Sequence, residues 1–332
     1  MKRLVSPQNY RIALTIALLS LGLILIFALS LSFGAVSLSL SQLWQALLRQ
    51  GEPINQTILW QLRLPRVLAA MVVGAALGTS GTLLQGMLRN PLAEPFLLGI
   101  SAGAGLVVVG MVTLGVWQAW IPFAAWVGAL LTTLLVYLLA RSGNKIAVER
   151  LILGGVAVSS LFGAVQTTLL LLAEEGRIQS ALNWIIGSLN GRGWTELSTS
   201  APYILLALIG STLLGRSLNV LALGDELAVG LGMSLGRSRL LIGGTAALLA
   251  AGAVSMAGLI GFVGLIVPHG MRLLLGGNDH RWLIPLSAFG GAFILSLADL
   301  LSRLGSVELP VGVVTALFGS PVFVWLLYRR SV

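Results

Sequence analysis

Only a few side chains in this sequence could take part in chemistry, and the clearest of them form an acid–base pair near the C-terminus. Asp299 and Arg303 lie four residues apart, the spacing at which opposite charges meet on one face of a helix. A carboxylate within an apolar segment can also relay protons or ions. We interpret the two residues as a structural ion pair, and a relay is the alternative.

Other reactive groups are scarce. The chain has no Cys and 2 His, and neither of its lysines, Lys2 and Lys145, follows a glycine as the lysine of a phosphate-binding loop does. We therefore expect no catalytic residue, no metal site and no cofactor bound by this chain. His269 follows Pro268 in an apolar segment, and we interpret it as a packed, hydrogen-bonded residue rather than a ligand.

The composition points to a lipid environment. Of the 332 residues 57% are hydrophobic and only 9% are charged, and the mean hydropathy is +0.96; soluble proteins carry about 25% charged residues. A net charge of +9 could indicate nucleic-acid binding, but excess Lys and Arg are also typical of cytoplasmic loops of membrane proteins. Because the chain has no polar domain in which to form a groove, we expect a membrane protein that binds no nucleic acid.

Apolar stretches recur along the chain at lengths suited to a bilayer, whose hydrocarbon core is about 30 Å thick. They predict an all-α, polytopic membrane protein with about ten transmembrane helices in a single domain over residues 1–332. The first stretch exceeds the apolar core of a signal peptide, so we interpret it as a retained helix. The predicted spans are 12–33, 64–88, 96–116, 121–140, 151–173, 201–215, 239–260, 262–275, 283–301 and 310–328.

The basic residues predict how this bundle is oriented. If the N-terminus is cytoplasmic, most of the 20 Lys and Arg residues fall on the cytoplasmic side, as positive-inside topology requires. We therefore predict a multi-pass membrane protein with both termini in the cytoplasm. The spans that begin near Arg66 and Arg239 carry similar Gly- and Ala-rich segments and enter from opposite sides. This pattern predicts two inverted-repeat-like halves.

The largest predicted cytoplasmic segment is 216–239. Its pattern indicates a short amphipathic helix, a glycine break and a second short element, after which Gly232 and Gly236 would let the chain turn sharply. Such a segment is longer than a plain connection needs, although an ordinary loop is the alternative. A transporter without a phosphate-binding loop or charged relay needs energy from another chain, so we expect a cytoplasmic partner to dock here.

Three successive groups of residues form a longer pattern. They are Arg63, Arg66, Gly81, Gln85 and the run from Asn90 to Pro95; then Gly261, Gly264, Pro268, His269, Arg272, Asp279 and Arg281; then Asp299, Arg303, Glu308, Gly312, Thr315, Gly319 and Pro321. In this order they resemble the FecCD-type permeases, membrane subunits of ABC importers for iron–siderophores, haem and vitamin B12. The resemblance runs from about Gln61 to the C-terminus.

The resemblance implies partners and roles for particular residues. The partners would be a second permease copy or a paralogue, two cytoplasmic ATPase subunits that use ATP, and an external substrate-binding protein. Coupling to the ATPase would fall on Gly224, Asp225, Ala228, Leu231 and Gly232. Docking of the binding protein would fall on Arg63, Arg66 and Arg303, and a cytoplasmic gate on Asn90, Leu92, Ala147 and Val148.

Each of these roles has a structural alternative. Arg66 could simply anchor a helix end at the lipid headgroups, and prolines 91 and 95 could make the gate segment a stiff turn. The predicted function is the permease subunit of a binding-protein-dependent ABC importer for a metal chelate, with an iron(III)-siderophore preferred over vitamin B12 or haem. It is a transport subunit and not an enzyme. The alternatives are an ion-coupled secondary carrier and a membrane scaffold without transport activity.

Overall fold

The computed structural model describes residues 7–34, 36–117, 120–142, 145–146, 148–305 and 307–330, and it is helical almost throughout. The helices are α1 Pro7–Ser32, α2 Leu40–Leu47, α3 Pro53–Thr57, α4 Leu64–Leu88, α5 Ile100–Leu114, α6 Ile121–Ala140, α7 Val148–Leu171, α8 Glu175–Ile186, α9 Trp194–Thr212, α10 Gly215–Ala222, α11 Asp225–Gly230, α12 Leu235–Ala257, α13 Val263–Leu275, α14 His280–Ser302 and α15 Val311–Arg330. A π-helical turn, Ile58–Arg63, joins α3 to α4, and a 3-10 turn, Pro95–Leu98, precedes α5. The strands β1 Arg141–Ser142 and β2 Lys145–Ile146 form one antiparallel hairpin.

Each of the ten predicted spans corresponds to a helix. Six helical stretches in the described residues are long and apolar enough to cross a membrane, and α9 with α10 makes a seventh if that bent pair is one span. Three shorter apolar helices, α5, α13 and α15, account for the rest. The all-helical fold class is therefore confirmed.

The bundle is built around α4. Of the most apolar 18 residues in the stretch that contains α4, 83% are buried, because α14, α12, α13 and α9 all pack against this helix. Small residues make that packing possible, as they do wherever membrane helices approach closely. The backbones of Gly74 and Gly291 touch, and a Cβ at either glycine would collide with the carbonyl oxygen of the other.

A second close approach joins α4 to the beginning of α13. A Cβ on Gly81 would overlap the carbonyl oxygen of Gly264. One turn further on, the Gln85 side-chain amide donates to the carbonyls of Gly264 and Leu265 at 3.3 and 3.2 Å. Phe262, just before α13, has a left-handed backbone (φ 68°), and its N–H donates to the Glu94 carboxylate at 2.9 Å. These contacts satisfy backbone groups that lipid could not.

Other helices turn a broad apolar side outward. In the most apolar 18 residues of α1 and of α7, 22% and 17% are buried. Their outward residues include Leu21, Ile24, Leu161 and Leu171, which are exposed within the chain. Such surfaces suit lipid tails or a second protein chain rather than water.

Two predicted boundaries are wrong, and each has a local cause. The helix predicted to begin at Leu64 continues unbroken from Pro53 through the π-helical turn, so Arg63 and Arg66 lie well inside it. The span predicted over 96–116 is shortened by Gly99, whose left-handed backbone (φ 73°) separates the 3-10 turn from α5.

The segment 216–239 has the predicted form. Helix α10 follows α9 with a bend of 51°, and Gly224 (φ 107°) separates it from α11. Gly232 has a left-handed backbone (φ 84°), as its position in a sharp turn requires. Gly236 does not turn the chain, because it already belongs to the first turn of α12.

Candidate functional site

The two ends of the bundle carry different clusters of charge, and we name each end by one residue. At the Arg66 end, the beginning of α4 meets the end of α14 and the segment before α15. At the Asp225 end, the end of α4 meets α11 and the beginning of α12. The sequence-predicted docking residues lie at the Arg66 end, and the coupling residues lie at the Asp225 end.

The Arg66 end is organised around one buried carboxylate. Asp299, only 1% exposed, accepts from Nε of Arg66 at 2.9 Å and pairs with Nη2 of Arg303 at 2.8 Å. The predicted Asp299–Arg303 ion pair is therefore confirmed. The other arm of Arg66 pairs with Glu308 at 2.7 Å, which the sequence did not predict. The carboxylate is held between two cations and is not placed as a free relay.

Arg63 lies beside this cluster but is bound by backbone. Its guanidinium donates to the carbonyls of Leu31 and Ser32 at 2.6 and 2.9 Å and also to that of Val36. Leu31 and Ser32 end α1, so their carbonyls have no further helical N–H to accept from. Arg63 therefore closes the end of α1.

These contacts bear on the predicted docking role. Arg63 is 6% exposed and Arg66 is 9% exposed. Each of the three predicted docking arginines, Arg63, Arg66 and Arg303, binds a partner within the chain, so all three help to hold the helices together. Docking by these arginines stays a prediction.

At the Asp225 end, the partly exposed carboxylate of Asp225 joins three helices. Asp225 accepts from Nη2 of Arg239 at 2.9 Å and pairs with Nη2 of Arg89 at 3.1 Å. Arg89 caps α4 in a left-handed conformation (φ 49°), and Arg239 lies in the second turn of α12. Asp225 therefore ties α11 to two helices of the core at once.

The remaining coupling residues divide between attachment and exposure. Ala228 lies on the inner side of α11 and is fully buried, whereas Leu231 is 66% exposed. Leu227, beside Ala228 in the same helix, is 60% exposed. Gly224 and Gly232 bound the element with positive φ angles. Helix α11 thus presents large apolar side chains outward from a firmly attached base, as a surface for a partner would.

The predicted gate residues have a local structural use. The Asn90 side-chain oxygen accepts from the Leu92 N–H at 2.9 Å and so closes a tight turn after α4. Leu92 is exposed, and Val148 is the first residue of α7. Ala147 lies outside the described residues. The gate assignment stays a prediction.

Besides the Asp299–Arg66 and Asp225–Arg239 pairs, three partners at these sites escaped the sequence argument. Arg89 was not expected to hold Asp225, Glu308 was not expected to hold Arg66, and Glu94 was not expected to hold the N–H of Phe262. Glu94 was at least marked by its place in the run from Asn90 to Pro95. The other two contacts join distant segments, and no spacing signals them.

A large cavity opens at the Arg66 end. Its volume is about 1050 Å³, and it is lined by the second half of α5, by α8 and the loop after it, by the beginnings of α6 and α9, and by residues 308–310. The lining is mixed, with aromatic rings at Trp120 and Phe123 and charges at Arg177, Arg192, Glu196 and Glu308. Ligand pockets usually measure about 300–1000 Å³, so this one could admit a large organic molecule.

Arg192 stands apart from the other charges of the cavity. Its Nε is buried without a hydrogen-bond partner among the described residues. Burial lowers the pKa of the Arg192 guanidinium from its ordinary value, and the charge of Glu196 partly opposes that shift. Within the described residues, no cluster of His, Cys, Asp or Glu is placed to hold a metal ion.

Comparison with known proteins gives a consistent set of relatives. Residues 22–329 match the model of the FecCD transport family. The chain is 39% identical over 324 residues to the hemin transport system permease protein HmuU of Yersinia pestis, with 93% of each chain covered. It is 40% identical over 314 residues to the vitamin B12 import system permease protein BtuC of Vibrio cholerae, covering 92% of this chain and 93% of the relative.

A third relative and one solved structure extend the set. The iron(3+)-hydroxamate import system permease protein FhuG of Bacillus subtilis is 36% identical over 329 residues, covering 96% of this chain and 97% of the relative. A chain described as that of a metal-chelate type ABC transporter in an inward-facing conformation superposes with a TM-score of 0.86 at 32% identity. That match covers 96% of this chain and 99% of the other.

Proposed function

This chain belongs to the FecCD transport family and is a permease of an ABC importer for metal chelates, and we propose that its own cargo is an iron(III)-siderophore. The hydroxamate permease relative supports a ferric siderophore as the class of cargo, and the charge that this chain prefers in its siderophore is a separate property of its own cavity. Vitamin B12 and haem are the alternative cargoes, because two further relatives are named for importing them. The observation that carries the transport function is the match over nearly the whole chain to permeases of this one kind.

The experiment that tests the cargo is uptake. A strain lacking this chain is complemented with the full-length protein, and accumulation of a labelled ferric siderophore, haem and cobalamin is compared. We expect restored uptake of the siderophore only. Restoration of haem or cobalamin uptake, with the siderophore excluded, would replace the proposed cargo by the one taken up.

We also propose that α11 is the contact through which a partner ATPase drives the permease. Exposed Leu227 and Leu231 would enter a cleft of the ATPase, since removing apolar side chains from water stabilises an interface. Asp225 supports this role, because its ion pairs with Arg89 and Arg239 would transmit a displacement of α11 directly to α4 and α12. Rigid-body transmission needs such a stiff attachment.

The Arg66 end is the proposed docking site of an external substrate-binding protein. The cluster around Asp299 contains five charged side chains, Arg63, Arg66, Arg303, Asp299 and Glu308, which leave one positive charge in excess. A positive surface would steer an acidic partner toward this end. Glu308, which is 35% exposed, is the outermost carboxylate of the cluster and could release Arg66 to a carboxylate of the partner.

The proposed assembly contains two permease chains, two ATPase chains and one binding protein in a bacterial inner membrane. The outward apolar sides of α1 and α7 supply surface for lipid or for a second copy. Both termini would be cytoplasmic, on the same side as the ATPase. The alternative of an ion-coupled carrier finds no support in Asp299, whose carboxylate is already neutralised by two arginines.

A further inference from the structure

The cavity at the Arg66 end contains one cation that no carboxylate closely neutralises. Arg192 lines this cavity, and no carboxylate oxygen of the described residues lies within 4.0 Å of its guanidinium. Its Nε is the one buried nitrogen of the group and has no hydrogen-bond partner. The two terminal nitrogens are neither buried nor bonded within the described chain, so they remain available to a ligand.

The other charged side chains of the cavity already have partners. Arg177 pairs with Glu174 at 3.1 Å and donates to the Thr113 carbonyl at 2.8 Å. Glu308 pairs with Arg66. One oxygen of Glu196 accepts the N–H of Gly193 at 2.9 Å, which holds this carboxylate at the beginning of its own helix.

We infer that the cavity is an entry chamber for the cargo and that Arg192 receives an oxyanion of the chelate, either a carboxylate or a catecholate oxygen, so that the permease selects negatively charged chelates. This inference rests on the proposed function. The planar guanidinium can bond two such oxygens at once. Its partial burial strengthens the attraction, because fewer waters screen it.

The rest of the lining suits the same ligand. Trp120 and Phe123 are 62% and 57% exposed and lie at the mouth of the cavity, where they can cover the apolar rim of a chelate. The beginning of α9 also lines the cavity, but its N-terminus is already capped by the Glu196 carboxylate, so Arg192 is the cation that a ligand would meet. A neutral chelate could use the aromatic side chains but would leave Arg192 without an acceptor.

The test is equilibrium binding to the full-length chain in lipid nanodiscs. Two chelates of similar size with radiolabelled iron are compared: a ferric triscatecholate, which is anionic, and a ferric trihydroxamate, which is neutral. The wild-type chain should prefer the anionic chelate by about tenfold to a hundredfold, the range expected for a hydrogen bond to a charged group. Arg192→Gln should abolish that preference, and Arg192→Lys should retain part of it.

Two matched variants separate this role from general damage. Arg177→Gln removes another arginine of the same cavity, one already paired, and should leave the preference unchanged. Glu196→Gln removes the nearest opposing charge and should increase the preference. If Arg192→Gln fails to insert, the Lys variant and Glu196→Gln still decide the matter.

Two results would overturn the inference: a wild-type chain that binds both chelates equally, or an Arg192→Gln chain that keeps the full preference. A different result would overturn the proposed function instead. That result is absence of chelate uptake in cells that carry the wild-type chain and its partners, while the purified chain still prefers the anion. The two failures are therefore distinguishable.

Discussion

At the scale of single residues, the most consequential group is the Asp299 carboxylate. It lies between the guanidinium groups of Arg66 and Arg303, and almost none of it is exposed. Burying an ion pair costs desolvation energy, and breaking it leaves an uncompensated charge in a medium that cannot solvate it. The cluster is therefore sensitive to removal of either partner.

The first prediction concerns Asp299→Asn. The substitution keeps the shape but removes the negative charge, so two arginines lose their common partner. We expect a loss of about 3–5 kcal/mol in the free energy of unfolding, measured by denaturant titration of the purified chain in detergent. Glu174→Gln is the control, because that carboxylate is 78% exposed and should cost no more than about 1 kcal/mol. Equal losses in the two variants would contradict the prediction.

The second prediction concerns docking. Reversing Arg66 alone would disrupt the buried cluster, so the test combines Arg66→Gln with Asp299→Asn, which removes opposite charges and preserves the net charge of the end. If Arg66 receives an acidic group of the binding protein, the association rate constant should fall. The remaining rate should also depend less on salt.

Stopped-flow measurements at low and high ionic strength give both quantities. An association rate that matches wild type at low salt would show that Arg66 serves only the fold. Asp299→Asn alone is the reference, since it disturbs the cluster while keeping Arg66.

At the scale of elements, α11 is distinctive because it is short, firmly attached and apolar on its outer side. Asp225 fixes its beginning to α4 and α12, and the buried Ala228 brings its middle close to the bundle. Without such attachments a six-residue helix would be marginal in water. Helix α11 is therefore a short, outward-facing element that is fixed to the core.

The third prediction tests the proposed coupling role of α11 through Leu231→Arg. Leu231 is 66% exposed, so the new charge should be tolerated by the fold yet would obstruct an apolar cleft of the ATPase. We expect chelate uptake to be lost while the amount of inserted chain is unchanged. Leu213→Arg is the matched control, since Leu213 is also an exposed leucine in a turn but lies between α9 and α10, outside α11 and away from the Arg66 end. Uptake at the wild-type rate in Leu231→Arg would rule out the coupling role.

The long apolar helices could be predicted from the sequence because lipid imposes a simple rule of length and composition. Of the short helices, α10 and α11 were expected from the pattern of 216–239, but the other short elements were not. Helix α8, Glu175–Ile186, is polar and brief enough to resemble a loop, and the π-helical turn before α4 depends on the packing around it. The boundary at Gly224 was more visible, because glycine adopts its conformation easily, whereas the break at Gly99 was missed.

The sites were predictable only where partners are neighbours in sequence. Asp299 and Arg303 are four residues apart, and their pairing followed from helical spacing. Asp299 and Arg66 are 233 residues apart, so that contact needed the tertiary structure. Arg192 gave no sequence signal at all, because lacking a nearby carboxylate is a property of the folded cavity.

At the scale of the whole molecule, the described chain has the large cavity at one end and the short helix α11 at the other. Between them, α4 is continuous from the Arg66 cluster to the Arg89–Asp225 contact. A displacement at one end therefore reaches the other through a single helix. The proposed function assigns the energy for transport to a second protein, the partner ATPase.

The fourth prediction follows from that dependence. Full-length chain reconstituted alone in proteoliposomes should not concentrate a ferric chelate under a proton or sodium gradient. Accumulation should require the ATPase, the binding protein and ATP together, with the partners prepared from the same cells. Concentration of the chelate by the permease alone under an ion gradient would contradict the proposed function and favour the secondary carrier.

The contact between Gly74 and Gly291 has a further consequence for how motion is studied. Two backbones that touch cannot slide past each other without first separating, so α4 and α14 should keep their spacing throughout the transport cycle. A pair of spin labels on these helices near that contact would give a constant distance. The same pair would give an internal reference distance for measuring the displacement of the other helices.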